Sequence, residues 1–229
     1  AAPIAGKPKR KPDDLALLMY TSGSTGTPKG VMHTFERATA ASVAIVDYLE
    51  KELGQGFTYR ALSYLPLAHI FERAWVECSG YVLGRGHIFF AESLDTFVQD
   101  LQRARPTVFI SVPRLWLKFQ QGVFAKMPAK KLDRLLGIPI LGKIVARKVI
   151  TQLGLNEVLM AGSGSAPIPP ALIAWYRRLG LHLVEGYGMT EDFALSHTTT
   201  KTLNEPGHVG IPFPTVQRKL DEDGEVLIK

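Results

Sequence analysis

"TVFISVPRLWLKF", Thr107 to Phe119, changes its period halfway along. The first half is a run of β-branched and aromatic residues interrupted only by Ser111, the pattern of a strand buried within a sheet. At Pro113 the pattern turns helical, because proline's fixed φ and missing N–H suit the first turn of a helix. Leu115, Leu117 and Phe119 follow as that helix's apolar positions.

The same switch recurs along the chain. ALSYLP precedes a helix expected to carry Ile70, Phe71, Ala74, Trp75, Cys78 and Val82 on one face. HIFFAE precedes DTFVQDLQRA, and EVLMAGS precedes the proline-started PPALIAWYRRLG, closed by Gly180 and followed by HLVEGY. Such alternation predicts an α/β fold, a largely parallel sheet flanked by helices. Met127 to Leu155 shows no clear pattern. After residue 200 the character changes: prolines and a DEDG turn signal between two short β-like runs predict a hairpin. The expected organisation is a basic tail over 1–12, an α/β core over 13–200 and the start of a small β subdomain over 201–229. The last run stops at Lys229 in mid-strand, as in a fragment.

With 229 residues, 46% of them hydrophobic, the chain can bury a substantial core. The lone Cys78 excludes an intramolecular disulfide framework, and no apolar run is long enough to span a bilayer. A cytoplasmic protein is expected. The formal charge of +6, with "KPKRK" from Lys7 to Lys11, suits phosphate-rich ligands or an anionic membrane surface. Nucleic acid is not expected as a partner, since neither a zinc-finger spacing nor an aromatic-basic recognition signature occurs.

In open α/β sheets ligands gather beyond the carboxyl ends of the strands. Three stretches lie there: "LPLAHIFER" with His69, "AGSGSAPIPP" with Gly162 to Ala166, and "EGYGMTED" with Tyr187, Thr190, Glu191 and Asp192. Singly each has a plainer reading, as a helix-start histidine, an ordinary strand-to-helix turn and a helix entry capped by Thr190. A fourth stretch, "YTSGSTGTPKGV" from Tyr20 to Val31, sets glycines, hydroxyls and Lys29 between two β-like runs. Glycines free backbone N–H groups to face an anion, and the lysine adds charge. It is not a Walker loop, because Pro28 stands before the lysine. A nearer match, "GIPILGKI" from Gly137 to Ile144, has Ile144 where a hydroxyl is required and no strand before it.

Taken together and in order, "YTSGSTGTPKG", "LPLAHIFER", "GSGSAPIP" and "EGYGMTE" resemble the adenylate-forming superfamily, in particular its long-chain fatty acyl-CoA synthetases. The resemblance runs from about Asp13 to Lys229. It implies ATP-dependent activation of a fatty acid to an acyl-adenylate, followed by transfer to coenzyme A. By that similarity Thr21, Ser22, Gly23, Ser24, Thr25, Gly26 and Lys29 cradle phosphates, Glu191 holds Mg²⁺ and Thr190 contacts phosphate. Tyr187 stacks on adenine, with Glu185, Gly186 and Gly188 beside it on the nucleotide side. Gly162, Ser163, Gly164, Ser165 and Ala166 line the adenine and acyl pocket, and His69 lies near the acyl carboxylate.

A peripheral contact with the inner membrane surface is also expected, and the resemblance places a ribose-binding aspartate and a catalytic lysine beyond this chain. Ile70, Phe71, Trp75, Leu115 and Trp116 are candidates for an apolar acyl channel. Two alternatives stay open: another acyl- or aryl-adenylating ligase, and a non-catalytic nucleotide- or lipid-binding module.

Overall fold

The computed structural model describes residues 6, 7, 9–21 and 27–228. β1 (Leu15–Thr21) and β2 (Lys29–Thr34) form an antiparallel hairpin whose last pair is Thr21 opposite Lys29. Thr34 then caps α1 (Phe35–Leu53), its hydroxyl accepting from the Arg37 amide at 3.3 Å. β3 (Arg60–Ser63) leads into α2 (Ile70–Glu72), a π-helical segment over Arg73–Cys78 and α3 (Ser79–Leu83). β4 (His87–Phe90) returns parallel to β3.

α4 (Phe97–Ala104), β5 (Val108–Ser111) and α5 (Pro113–Lys126) follow. The stretch without a sequence pattern holds two helices, α6 (Ala129–Leu136) and α7 (Leu141–Gln152). Their periodicity is faint because α6 fully buries only Leu132, while α7 buries the small Gly142 and Ala146 beside Val149 and Ile150. β6 (Met160–Ser163), α8 (Pro170–Arg178) and β7 (Leu183–Tyr187) complete the alternation. The rest is strand: β8 (His197–Thr198), β9 (Ile211–Pro212), β10 (Arg218–Leu220) and β11 (Val226–Ile228). β10 and β11 form the hairpin expected at DEDG.

β5, β6 and β7 pair in parallel, and β8 and β9 extend that sheet antiparallel. Thr107 links β3 to β5: its hydroxyl accepts the Arg60 amide at 2.9 Å, and its own amide donates to the Arg60 carbonyl. Alternation along β5 sends Phe109 to one core and Val108 and Ile110 to the other, so the sheet is covered on both faces. Among the described residues no helix is long and apolar enough to cross a membrane.

The helix after ALSYLP departs from its expected single face. Ile70, Phe71, Ala74 and Trp75 are buried, but Val82 emerges to solvent. A π turn takes an extra residue, which rotates every later position away from its α-helical direction. Within it the Trp75 carbonyl accepts from the Ser79 hydroxyl at 2.5 Å and the Tyr59 hydroxyl at 3.2 Å.

Candidate functional site

The carboxyl ends of β3, β5, β6 and β7 converge through short polar contacts. Tyr64, just past β3, donates its hydroxyl to Ser111 Oγ at 2.8 Å at the end of β5. The amide of Gly164, just past β6, donates to the Ser111 carbonyl at 3.3 Å. Ser163 is buried and its hydroxyl has no partner among the described residues. Beyond it Ser165 adopts φ +68, and Ser165 and Ala166 are exposed at the turn. Gly164 lies against both the Phe71 ring and the Gly186 carbonyl, each 3.3 Å from where a Cβ would stand. The β6 turn, the start of α2 and the end of β7 therefore meet at one place.

The loop after β7 is folded by Asp192. One carboxylate oxygen accepts the amides of Met189 at 2.8 Å and Leu195 at 3.2 Å. Burial nevertheless pushes the Asp192 carboxyl above its ordinary range, with these amides offsetting part of the effect. Gly188 is required for the close approach: a Cβ there would sit 2.7 Å from the Ala194 Cα. This loop leaves Glu191 exposed and Thr190 half-buried. Tyr187 is also exposed, with an edge contact to the His197 ring at 6.1 Å. Glu185 is buried. Its carboxylate accepts the Gly207 amide at 3.3 Å, and burial holds it above the usual glutamate range.

The hairpin is tied to this loop by His33. Its Nε2 lies 2.7 Å from the Thr190 carbonyl, and because a carbonyl only accepts, that nitrogen carries the hydrogen. His33 is buried with its ring edge-on to Phe193 at 5.0 Å. Lys29, four residues earlier on β2, lies about 13 Å along the strand from this anchor. It is exposed at the neck of the loop, opposite Thr21. Ser22, Gly23, Ser24, Thr25 and Gly26 lie outside the described residues. His69 is exposed and caps α2, its Nδ1 accepting the Phe71 amide at 3.2 Å.

His33 was not among the sequence candidates, and its signal is local but faint: a histidine in a β-like run directly after a glycine-rich loop. Glu72 also went unmarked. It is fully buried, and neither carboxylate oxygen makes a hydrogen bond of normal geometry. Burial raises its carboxyl above the usual range, while the nearby Ser63 hydroxyl and the Leu65 and Tyr64 amides offset part of this. The native state therefore keeps the Glu72 proton to higher pH than the unfolded chain. Stability from this group is full below the ordinary value of 4.5 and is lost as pH rises through the native value. Glu72→Gln should accordingly raise the unfolding midpoint at neutral pH, by roughly 2–12 °C for about 1–3 kcal/mol of relieved burial cost. By about pH 4 the gain should vanish. A lower midpoint at neutral pH would instead mean that the carboxylate is held ionised by its neighbours.

Beside the β3 and β5 ends opens a cavity of about 980 Å³, walled by Tyr64, Phe97, Leu115, Phe119, Val149 and Leu153. Arg114, Lys118 and Lys126 also border it. Of the five residues expected to form an apolar channel, only Leu115 reaches this cavity; Ile70, Phe71, Trp75 and Trp116 belong to the packed core. No cluster of three or more metal-ligating side chains occurs among the described residues.

The chain is 36% identical to long chain acyl-CoA synthetase 6, peroxisomal, of Arabidopsis thaliana, over 92% of its own length and 32% of the relative's. It is 33% identical to fatty acyl-CoA synthetase A of Dictyostelium discoideum, over 91% of its length and 33% of that protein. Among solved structures, the A-PCP didomain of carboxylic acid reductase from Segniliparus rugosus, in complex with AMP, superposes with a TM-score of 0.71 at 29% identity. The match covers 99% of this chain and 32% of that one. The chain thus spans about a third of the length of the curated relatives it matches. The match to the family described as AMP-binding enzyme extends over residues 3–229, and the chain belongs to that family.

Proposed function

We propose that the full-length protein activates a long-chain fatty acid with ATP and passes the acyl group to coenzyme A. The observation that supports this reading is the presence of two different surfaces at the carboxyl ends of the strands. One is the polar loop of Thr190 and Glu191, tied by His33 to the hairpin that bears Lys29. The other is the large apolar cavity beside β3 and β5.

In the first step an acid carboxylate oxygen attacks the α-phosphorus of ATP, and pyrophosphate leaves. In the second the thiol of coenzyme A attacks the acyl carbonyl, and AMP leaves. Such chemistry is chiefly positioning and neutralisation of charge, so no side chain need act as a covalent nucleophile. Lys29 and the loop from Thr21 to Gly26 hold the distal phosphates. Thr190 contacts phosphate, Tyr187 stacks on adenine beside Gly186 and Gly188, and the turn from Gly162 to Ala166 borders the nucleotide and the acid. His69 stands near the carboxylate.

The exposed Glu191 carboxylate suits Mg²⁺, which keeps several waters and needs only one or two carboxylates beside the phosphates of its nucleotide. That ion would neutralise phosphate charge when bound. We place the protein on the cytoplasmic side.

ATP–pyrophosphate exchange by the full-length protein, measured with acids from acetate to stearate, tests the reading. Each buried CH₂ is worth about 0.8 kcal/mol, so kcat/KM should rise roughly fourfold per methylene and then level off at long chains. A maximum at acetate or at an aromatic acid would point to another adenylating ligase. Nucleotide binding without exchange would point to a non-catalytic module.

A further inference from the structure

The loop after β7 turns through two consecutive left-handed residues, Phe193 at φ +59 and Ala194 at φ +56. Side chains with a Cβ avoid that backbone unless their surroundings impose it. Within the loop the Asp192 carboxylate holds the Met189 and Leu195 amides. From the π-helical segment, Trp75 donates its indole Nε1 to the Ala194 carbonyl at 3.1 Å. From the hairpin, His33 donates Nε2 to the Thr190 carbonyl at 2.7 Å and sets its ring edge-on to Phe193. Among the described residues this is the one hydrogen bond between the hairpin and the loop.

The hairpin presents Lys29 to the same side. Side chains alternate along β2, so Lys29, Val31 and His33 share one face, with Thr21, Met19 and Leu17 opposite them on β1. That face is the packed one: Met19 and His33 are buried, whereas Leu18, Tyr20 and Met32 on the other face are exposed. Lys29 thus stands on the side of the hairpin that meets the Thr190–Glu191 loop, with His33 as the fixed point. The base of the strand is held in turn, because Thr34, the next residue, caps α1.

We infer that His33 is a positioning residue: it holds the hairpin and the Thr190–Glu191 loop at one spacing, so that Lys29 and Glu191 act on one triphosphate together. The inference rests on the roles proposed above for those two residues. Without the bond the loop loses one of the contacts that hold its left-handed turn, and ATP would have to order the two elements as well as contact them. A residue that merely filled the core would act on stability, and on every nucleotide alike.

Isothermal titration of the full-length protein with ATP and with AMP, both with Mg²⁺ present, reads the inference. His33→Leu should lower ATP affinity about tenfold, the loss expected for one buried hydrogen bond, and AMP affinity less than about twofold, because AMP lacks the distal phosphates. His33→Gln, whose amide nitrogen stands at the reach of Nε2, should restore most of the loss; His33→Asn, whose nitrogen stands at that of Nδ1, should not. On a Lys29→Ala background His33→Leu should cost no more than about threefold, although residues about 13 Å apart normally act additively. Additive losses, equal losses for both nucleotides, or glutamine no better than asparagine would overturn the inference. Where leucine costs the fold, read by the unfolding midpoint, the glutamine and asparagine variants decide. Titration does not depend on turnover, so ATP binding without pyrophosphate exchange would overturn the proposed reaction and leave the titrations to decide this inference. Unchanged ATP affinity in Lys29→Ala would overturn the phosphate role of Lys29 and this inference with it.

Discussion

Trp116→Ala is expected to cost about 3–5 kcal/mol of folding stability, a large share of what a domain possesses. The indole is fully buried and packs edge-on against Phe109 at 5.3 Å and Tyr176 at 5.0 Å, so truncation leaves a cavity walled by rigid rings. Its Nε1 also donates to the Gly162 carbonyl at 3.2 Å, and that acceptor would lose its partner at the end of β6. The midpoint of thermal unfolding should fall by roughly 6–20 °C. Trp116→Phe keeps most of the volume and should cost only about 1 kcal/mol, chiefly the lost hydrogen bond. A shift of a degree or two for the alanine variant, followed by circular dichroism, would show that the core closes around the gap.

Lys29→Ala should act on binding and not on folding. The side chain is exposed at the neck of the hairpin, so its removal leaves no void. Losing one charge-assisted contact to phosphate costs about 1.5–3 kcal/mol, or roughly ten- to a hundredfold in ATP affinity. AMP, which lacks the distal phosphates, should bind with little change. Isothermal titration of both nucleotides, alongside the unfolding midpoint, reads the two effects separately. Unchanged ATP affinity would remove Lys29 from the phosphate site.

Much of the secondary structure was legible because its signals are local. Pro113 and Pro170 stand at the starts of α5 and α8, and Gly180, at φ +84, lies just beyond the end of α8. Each acts through its own φ and its own amide. The apolar run at β5 announced a strand covered on both faces. Where local signals were weak, reading failed: α6 and α7 lie on the surface and bury few large side chains, so their period is diluted by lysines and arginines.

By itself the sequence determined the alternation of strand and helix, the β-like runs on either side of the glycine-rich loop, the hairpin at DEDG, and which short polar stretches follow the strands. Tertiary structure decided how these meet. The bond from His33 to Thr190 joins residues 157 apart, and that from Trp116 to Gly162 joins residues 46 apart. No periodicity encodes such a pair, because each side chain acquires its partner only when separate strands come into register. Glu72 makes the same point. Its charge is plain in the sequence, but its burial follows from the packing of α2 and the π turn against β3, and that burial is the largest influence on the carboxyl's affinity for its proton.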